Sequence, residues 1–197
     1  MSELFARISH LEAAAVVFAV AYLVLVIRQN QLAWPAALIS VLLSLVLFFD
    51  ARLYMESALQ VFYAVMAVYG WHQWRHGGAG GHGVVICTWS PRQHALVIAS
   101  IFVASAVFGY ALRGTEAAMP YLDSFTTVAA IVTTYMVAKK VLENWIYWFV
   151  IDAVSVYLYG TRGLLLYAAL FVFYLLLIVI GFRRWLLDWR VQCAPPS

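Results

Sequence analysis

Asp152 is the residue whose place in the sequence most needs a chemical reason. The chain holds nine acidic residues. Eight fall at the ends of apolar stretches, in connecting segments or near the termini, and Asp152 alone lies well inside a stretch. A carboxylate at the centre of a hydrocarbon layer costs at least ~2.5 kcal/mol, so such a group faces a partner, a cavity or a ligand. The competing structural reading is an aspartate that bonds a neighbouring helix and fixes packing. Trp145, Trp148 and Asp152 stand at i, i+3 and i+7 and share one helical face. Asn144 precedes that face, and Ser155 and Tyr159 continue it. Two indoles with an anion one to two turns deeper suit a flat, positively charged aromatic ligand. Each ring can stack on it and attract the charge by about 0.5–2 kcal/mol, while the carboxylate balances it. Trp145 also reads as part of an interfacial aromatic belt, an explanation that fits Trp148, one turn deeper, less well.

A second set lies in the third apolar stretch. Gln60, Tyr63, Ala67, Gly70 and Trp74 form one stripe, with Trp71 beside it. Gln60 offers donors and an acceptor, and Tyr63 adds a hydroxyl and a ring. Gly70 lets a helix or a ligand approach closely. The alternative is a packing stripe in which Gln60 bonds a neighbouring helix and Trp71 and Trp74 belong to the inner belt. His72 and His76 stand at i, i+4 with His82 and His94 nearby. A glycine-rich, solvated loop explains them better than a metal site does. No Gly-x-x-x-x-Gly-Lys-Ser/Thr motif occurs, so ATP hydrolysis is not built in. The last stretch has no lysine for a retinal linkage, and no nucleophile–base pair lies within the stretches. The expectation is a protein that is not an enzyme and needs no cofactor or metal.

These residues must be positioned inside a membrane. The chain is 65% hydrophobic and 11% charged, with a mean hydropathy of +0.89. A soluble domain carries roughly 25% charged residues, so this chain could not cover itself in water. Apolar stretches of spanning length, about 20 residues each, recur from end to end. We expect seven transmembrane helices near Glu12–Ile27, Trp34–Phe49, Ser57–Trp74, His94–Leu112, Ser124–Val141, Trp145–Tyr159 and Leu164–Arg183. The first is preceded by Glu3 and Arg7 rather than a strongly basic region, and no small-residue cleavage site follows before Arg28, so it reads as a retained span. Arg75–Gln93, with His-Gly-Gly-Ala-Gly-Gly-His-Gly, reads as a flexible linker. Cys87 and Cys193 lie outside the spans and make no disulfide framework. A net charge of +3 gives no case for nucleic acid.

Positive charge sets the orientation. Arg28, Arg75, Arg92, Lys139, Lys140, Arg183, Arg184 and Arg190 collect on one side; Arg7, Arg52, Arg113 and Arg162 collect on the other. The richer side is cytoplasmic, which puts the N-terminus outside and the C-terminus inside. A repeat at a constant, gap-free offset organises the chain. Leu59-Gln-Val-Phe-Tyr63 lies over Leu170-Phe-Val-Phe-Tyr174, and Gly70-Trp-His-Gln-Trp74 over Gly181-Phe-Arg-Arg-Trp185. Trp34 falls on Trp145, Arg28 on Lys139, and Leu11-Glu12 on Leu122-Asp123. The expected plan is a three-helix bundle over 12–74, a linker with a fourth helix over 75–123, and a second bundle over 124–185. An odd number of intervening spans makes the repeat parallel, a known transporter plan with substrate near the midplane.

The third and sixth spans resemble the Pnu vitamin transporter family. The resemblance rests on Gln60-x-x-Tyr63, Tyr69-Gly70-Trp71-x-x-Trp74 and Glu143-Asn144-Trp145-x-x-Trp148-x-x-x-Asp152, and covers nearly the whole chain. It implies a fold related to the SWEET and semiSWEET carriers, usually with three protomers together in a bacterial inner membrane. It implies facilitated diffusion of an unphosphorylated vitamin, with the sixth-span tryptophans, Asn144 and the third-span polar residues lining the site. Nicotinamide riboside is the expected cargo, with thiamine next and riboflavin also within the family. Ala67 departs from the asparagine that nicotinamide riboside members often place there. A proton-coupled carrier titrating Asp152 is the mechanistic alternative.

Overall fold

In lipid every backbone polar group must find its partner within the chain, and a helix does this within one segment. A computed structural model of the chain describes residues 2–50, 52, 54–78, 80–114, 119–161, 163 and 165–193, apart from the side chains of 2–9, 54–56, 166 and 167. Among these residues the fold is all-helical, with seven helices: α1 (Ser2–Ile27), α2 (Ala33–Asp50), α3 (Tyr54–His76), α4 (Pro91–Leu112), α5 (Pro120–Ala138), α6 (Asn144–Thr161) and α7 (Leu165–Gln192). Arg162 and Leu164 lie outside the described residues, as do the side chains of Glu3 and Arg7.

Among the described residues four segments are long and apolar enough to cross a membrane: His10–Ile27, Ala33–Asp50, Pro91–Leu112 and Ala168–Gln192. The other three helices hold the polar residues, Gln60 on α3, the threonines of α5, and Asn144 and Asp152 on α6. Polar side chains lower hydropathy where a helix faces a bundle interior or a cavity rather than lipid.

The chain divides into two units, Met1–Val85 and Ile86–Ser197. In the first, α2 packs against α1 and α3; in the second, α4 packs on α5, α5 on α6 and α6 on α7. Helix α4 starts on a capping box, with Ser90 Oγ accepting from the Gln93 amide and Gln93 Oε1 accepting from the Ser90 amide. Several boundaries differ from the sequence expectation. Helix α7 continues past Arg183 to Gln192, since backbone hydrogen bonding carries a helix through charged positions that interrupt an apolar run. Helix α5 stops at Ala138 because Lys140 adopts a left-handed conformation (φ 51°) and Val141 pairs with Cys87.

The turns after α1 and α5 are built alike. Gln29 and Lys140 both take positive φ, 52° and 51°. The Gln29 amide donates to Val26 O at 2.9 Å, and the Lys140 amide to Val137 O at 3.0 Å. The Asn30 and Val141 amides donate to Leu25 O and Met136 O, each at 2.9 Å. Each turn delivers a tryptophan into the next helix. Trp34 meets Trp74 edge-on at 5.5 Å and 89°, and Trp145 meets Trp185 at 5.4 Å and 86°. A methyl group on Gly70 would collide with the Trp34 ring, and one on Gly181 with the Trp145 ring. All these pairs stand at the constant offset of the sequence repeat.

Gly181→Ala should therefore lower the thermal unfolding midpoint in detergent, since overpacking a fitted contact costs about 1–3 kcal/mol. Gly160→Ala, with open space around it, is the control. Equal midpoints for the two variants would contradict the packing argument.

Candidate functional site

Asn144 opens α6 and is fully buried, at 0% exposure. Its Nδ2 donates to Val141 O at 2.7 Å, which leaves Oδ1 buried without a hydrogen-bond partner among the described residues. Trp145, the next residue, is 1% exposed and its indole Nε1 is likewise unpartnered. An unmatched buried polar atom costs about 1–3 kcal/mol, so such atoms ask for an explanation. Trp34 Nε1 is unpartnered too. The two indoles share one explanation: each ring is seated against a glycine and a second tryptophan. Asn144 Oδ1 has no counterpart, because the repeat sets Ala33 against Asn144.

The face predicted on α6 is buried, yet its residues point to different neighbours. Trp145 packs against Gly181 and Trp185 of α7. Trp148 is half-buried against the cluster of Ile101, Ala129 and Ile151, contributed by α4, α5 and α6. Asp152 is 5% exposed and makes no hydrogen bond or ion pair among the described residues. Ser155 is buried and donates to Ile151 O at 2.9 Å, and Tyr159 stacks on Phe171 at 5.3 Å.

On α3, Gln60 is half-buried with no hydrogen bond among the described residues, and Tyr63 meets Phe62 edge-on at 5.6 Å. Ala67 and Trp74 are buried, whereas Trp71 is 36% exposed. Trp34, Leu38, Ala67, Val68, Trp71, His72 and His76 line a cavity of about 360 Å³ within the first unit. His72 and His76 pair ring to ring at 5.3 Å, and no cluster of three metal-ligating residues occurs among the described residues.

The linker was expected to be free, and in the second unit it is not. Cys87 N donates to Lys140 O at 3.1 Å, and Leu142 N donates to Cys87 O at 2.8 Å, a short parallel bridge onto the turn before α6. Glu143 Oε2 accepts from the Trp89 amide at 3.4 Å. His94 places Nε2 3.6 Å from Glu143 Oε1, and its Nδ1 lies 2.9 Å from the Tyr147 hydroxyl. Sequence reading missed this strap because a glycine-rich segment followed by a few apolar residues carries no pairing pattern. Its one signal was Cys87 and Trp89 standing just before a Ser-Pro-x-Gln helix start.

The family model described as nicotinamide mononucleotide transporter matches residues 9–187. The chain belongs to that family. It is 26% identical to the nicotinamide riboside transporter PnuC of Escherichia coli (strain K12), over 76% of this chain and 73% of that one. It is 28% identical to the riboflavin/roseoflavin transporter RibM of Streptomyces davaonensis, over 85% of this chain and 80% of RibM. A crystal structure of the vitamin B3 transporter PnuC superposes with a TM-score of 0.71 at 26% identity, covering 92% of this chain and 83% of that one. This transporter-family chain is thus a multi-pass membrane protein homologous to vitamin carriers.

The strap has an electrostatic signature. Burial pushes the Cys87 thiol above its ordinary pKa, Glu143 adds to the rise and Lys139 partly offsets it. Burial lowers the Lys140 ammonium. A raised pKa leaves less thiolate at a given pH, and the thiolate is the reactive form. At pH 8 iodoacetamide should label the exposed Cys193 well before Cys87, with the gap narrowing as pH rises. Equal labelling rates at pH 8 would contradict the buried strap.

Proposed function

We propose that the protein is a carrier that moves nicotinamide riboside across the bacterial inner membrane by facilitated diffusion, exposing its site to each side in turn. Family membership together with the homology to PnuC supports transport. The observation that carries the site assignment is the asymmetry between positions that the repeat aligns. Where α6 has Asn144, Trp148 and Asp152, α2 has Ala33, Ala37 and Val41; where α3 has Gln60 and Trp71, α7 has Phe171 and Phe182. Residues present at both positions, Trp34 with Trp145 and Trp74 with Trp185, are the ones seated in matching packing contacts. Asn144, Trp148, Asp152, Gln60 and Trp71, each found in only one of the two aligned positions, serve the cargo together with Tyr63, whose counterpart Tyr174 keeps its hydroxyl. The tryptophans found in both positions hold the helices.

In this reading Trp148 stacks on the pyridinium ring and Asp152, buried without an ion pair, balances its charge. Asn144 Oδ1 accepts from a ribose hydroxyl or carboxamide N–H, and Gln60 and Tyr63 hydrogen-bond the rest. Trp71 contributes a partly exposed ring, while Trp74 and Trp145 each pack rigidly within their own unit and support the residues beside them. The two sets of three helices, α1–α3 and α5–α7, are a parallel repeat joined through α4, a SWEET-like plan. The protomers assemble as trimers, with the N-terminus outside and the C-terminus cytoplasmic. The similarity to RibM favours a second reading, riboflavin as cargo, in which the neutral ring system makes less use of Asp152.

Tryptophan fluorescence of the purified protein, titrated separately with nicotinamide riboside, thiamine and riboflavin, tests the assignment. Nicotinamide riboside should quench at low micromolar levels, roughly the range in which three or four good contacts place a small ligand. Trp148→Ala should remove binding while leaving the protein inserted and folded. Saturable quenching by riboflavin alone would move the assignment to the second reading, and unchanged binding by Trp148→Ala would remove Trp148 from the site.

A further inference from the structure

The turn before α6 forms twice in this chain, and only once does it carry a strap. After α1, the segment from Val26 to Trp34 makes the same backbone bonds as Val137 to Trp145, down to Trp34 N on Gln31 O at 3.2 Å and Trp145 N on Leu142 O at 3.5 Å. Among the described residues the single β-bridge is Cys87 with Val141, so the first turn folds without one. The same backbone bonds thus form in the first unit without a strap, where Asn30 Oδ1 accepts from the Leu32 amide at 2.8 Å. The two turns differ at each position from Arg28–Ala33 against Lys139–Asn144, and the difference that places a polar group at the start of the next helix is Asn144, where the first has Ala33.

The bonds run in sequence from the strap to that side chain. Cys87 pairs on both sides of Val141, through Lys140 O at 3.1 Å and Leu142 N at 2.8 Å. Val141 O, held in this way, accepts from Asn144 Nδ2 at 2.7 Å. That bond fixes the amide, and so sets Oδ1 as the unpaired acceptor. Glu143, between the two, accepts from the Trp89 amide of the strap at 3.4 Å, and His94 of α4 places Nε2 3.6 Å from its other carboxylate oxygen. His94 in turn reaches Tyr147, one turn along α6. A side chain that must meet a ligand at a set angle gains affinity from supports that hold it before binding.

We propose that Glu143, with the strap from Ile86 to Ser90 and His94, is a positioning residue that pre-sets the Asn144 amide for the cargo. The proposal rests on Asn144 contacting the cargo. It makes the linker part of the binding apparatus, and it predicts that Glu143 acts on affinity only through Asn144.

A double-mutant cycle on the full-length protein tests this. Nicotinamide riboside affinity is read by tryptophan fluorescence for wild type, Glu143→Ala, Asn144→Ala and the double variant, with riboflavin as the probe if that is the ligand that binds. Glu143→Ala should weaken binding about tenfold, the scale of one misplaced buried hydrogen bond. Glu143→Gln, which keeps an acceptor for the Trp89 amide, should stay close to wild type. In the Asn144→Ala background, Glu143→Ala should cost nothing further. Equal losses with and without Asn144 would overturn the proposal while leaving the site intact, as would wild-type affinity in Glu143→Ala. Wild-type affinity in Asn144→Ala overturns the site assignment and this proposal with it. His94→Ala replaces Glu143→Ala in the cycle should the latter not fold, with the same coupling expected and the same additive result contradicting it.

Discussion

Lipid tails are as apolar as leucine, so no hydrophobic force holds two buried helices together in a membrane, and they stay paired only where their surfaces fit closely. In each unit the fit is an indole lodged against a glycine. Trp34 fills the notch at Gly70 and meets Trp74; Trp145 fills the notch at Gly181 and meets Trp185. A tryptophan offers the largest ring area to such a contact, and a glycine lets that ring reach a helix backbone. Because Trp34 and Trp145 begin α2 and α6, the contact fixes the ends of those helices that the preceding left-handed turns deliver. Once α6 is held at its first turn, the depth and rotation of Trp148 and Asp152 follow from helical geometry.

Placing a site on such a scaffold means accepting polar groups that the fold does not use. Asn144 Oδ1 has no hydrogen-bond partner among the described residues and Asp152 is buried at 5% exposure, and α2 avoids both by using alanine and valine at the corresponding positions. The unstrapped turn of the first unit and the strapped turn of the second differ in the same sense. In the proposed reading, the second unit devotes structure to orienting an amide, where the first has only a methyl group to place.

Much of this was legible in the sequence, for identifiable reasons. Spans separate cleanly from loops because charge is excluded from hydrocarbon, so all seven helices were recognisable. Asp152 stood out for the same reason. The constant offset of the repeat was visible because glycine and tryptophan are distinctive letters, and the packing role those letters serve became clear only from the contacts they make. The spacing put Trp145 and Trp148 on one side of α6 without showing which neighbours each ring meets. A spacing of three residues turns the second ring by about 60° from the first, enough to aim one at α7 and the other at α4 and α5. The strap was invisible because backbone pairing between Cys87 and Val141 depends on main-chain atoms that every residue carries. The helical continuation of α7 to Gln192 was missed because hydropathy reports the lipid and not the helix.

The claim at the centre of this account is that the protein is an equilibrative carrier. Uptake of labelled nicotinamide riboside into liposomes containing only the purified protein measures that directly. The account predicts saturable entry that stops at equal concentrations inside and outside and is indifferent to a pH gradient. Entry no faster than into protein-free liposomes would contradict transport of this cargo, and accumulation driven by a pH gradient and abolished by Asp152→Asn would replace facilitated diffusion with proton coupling.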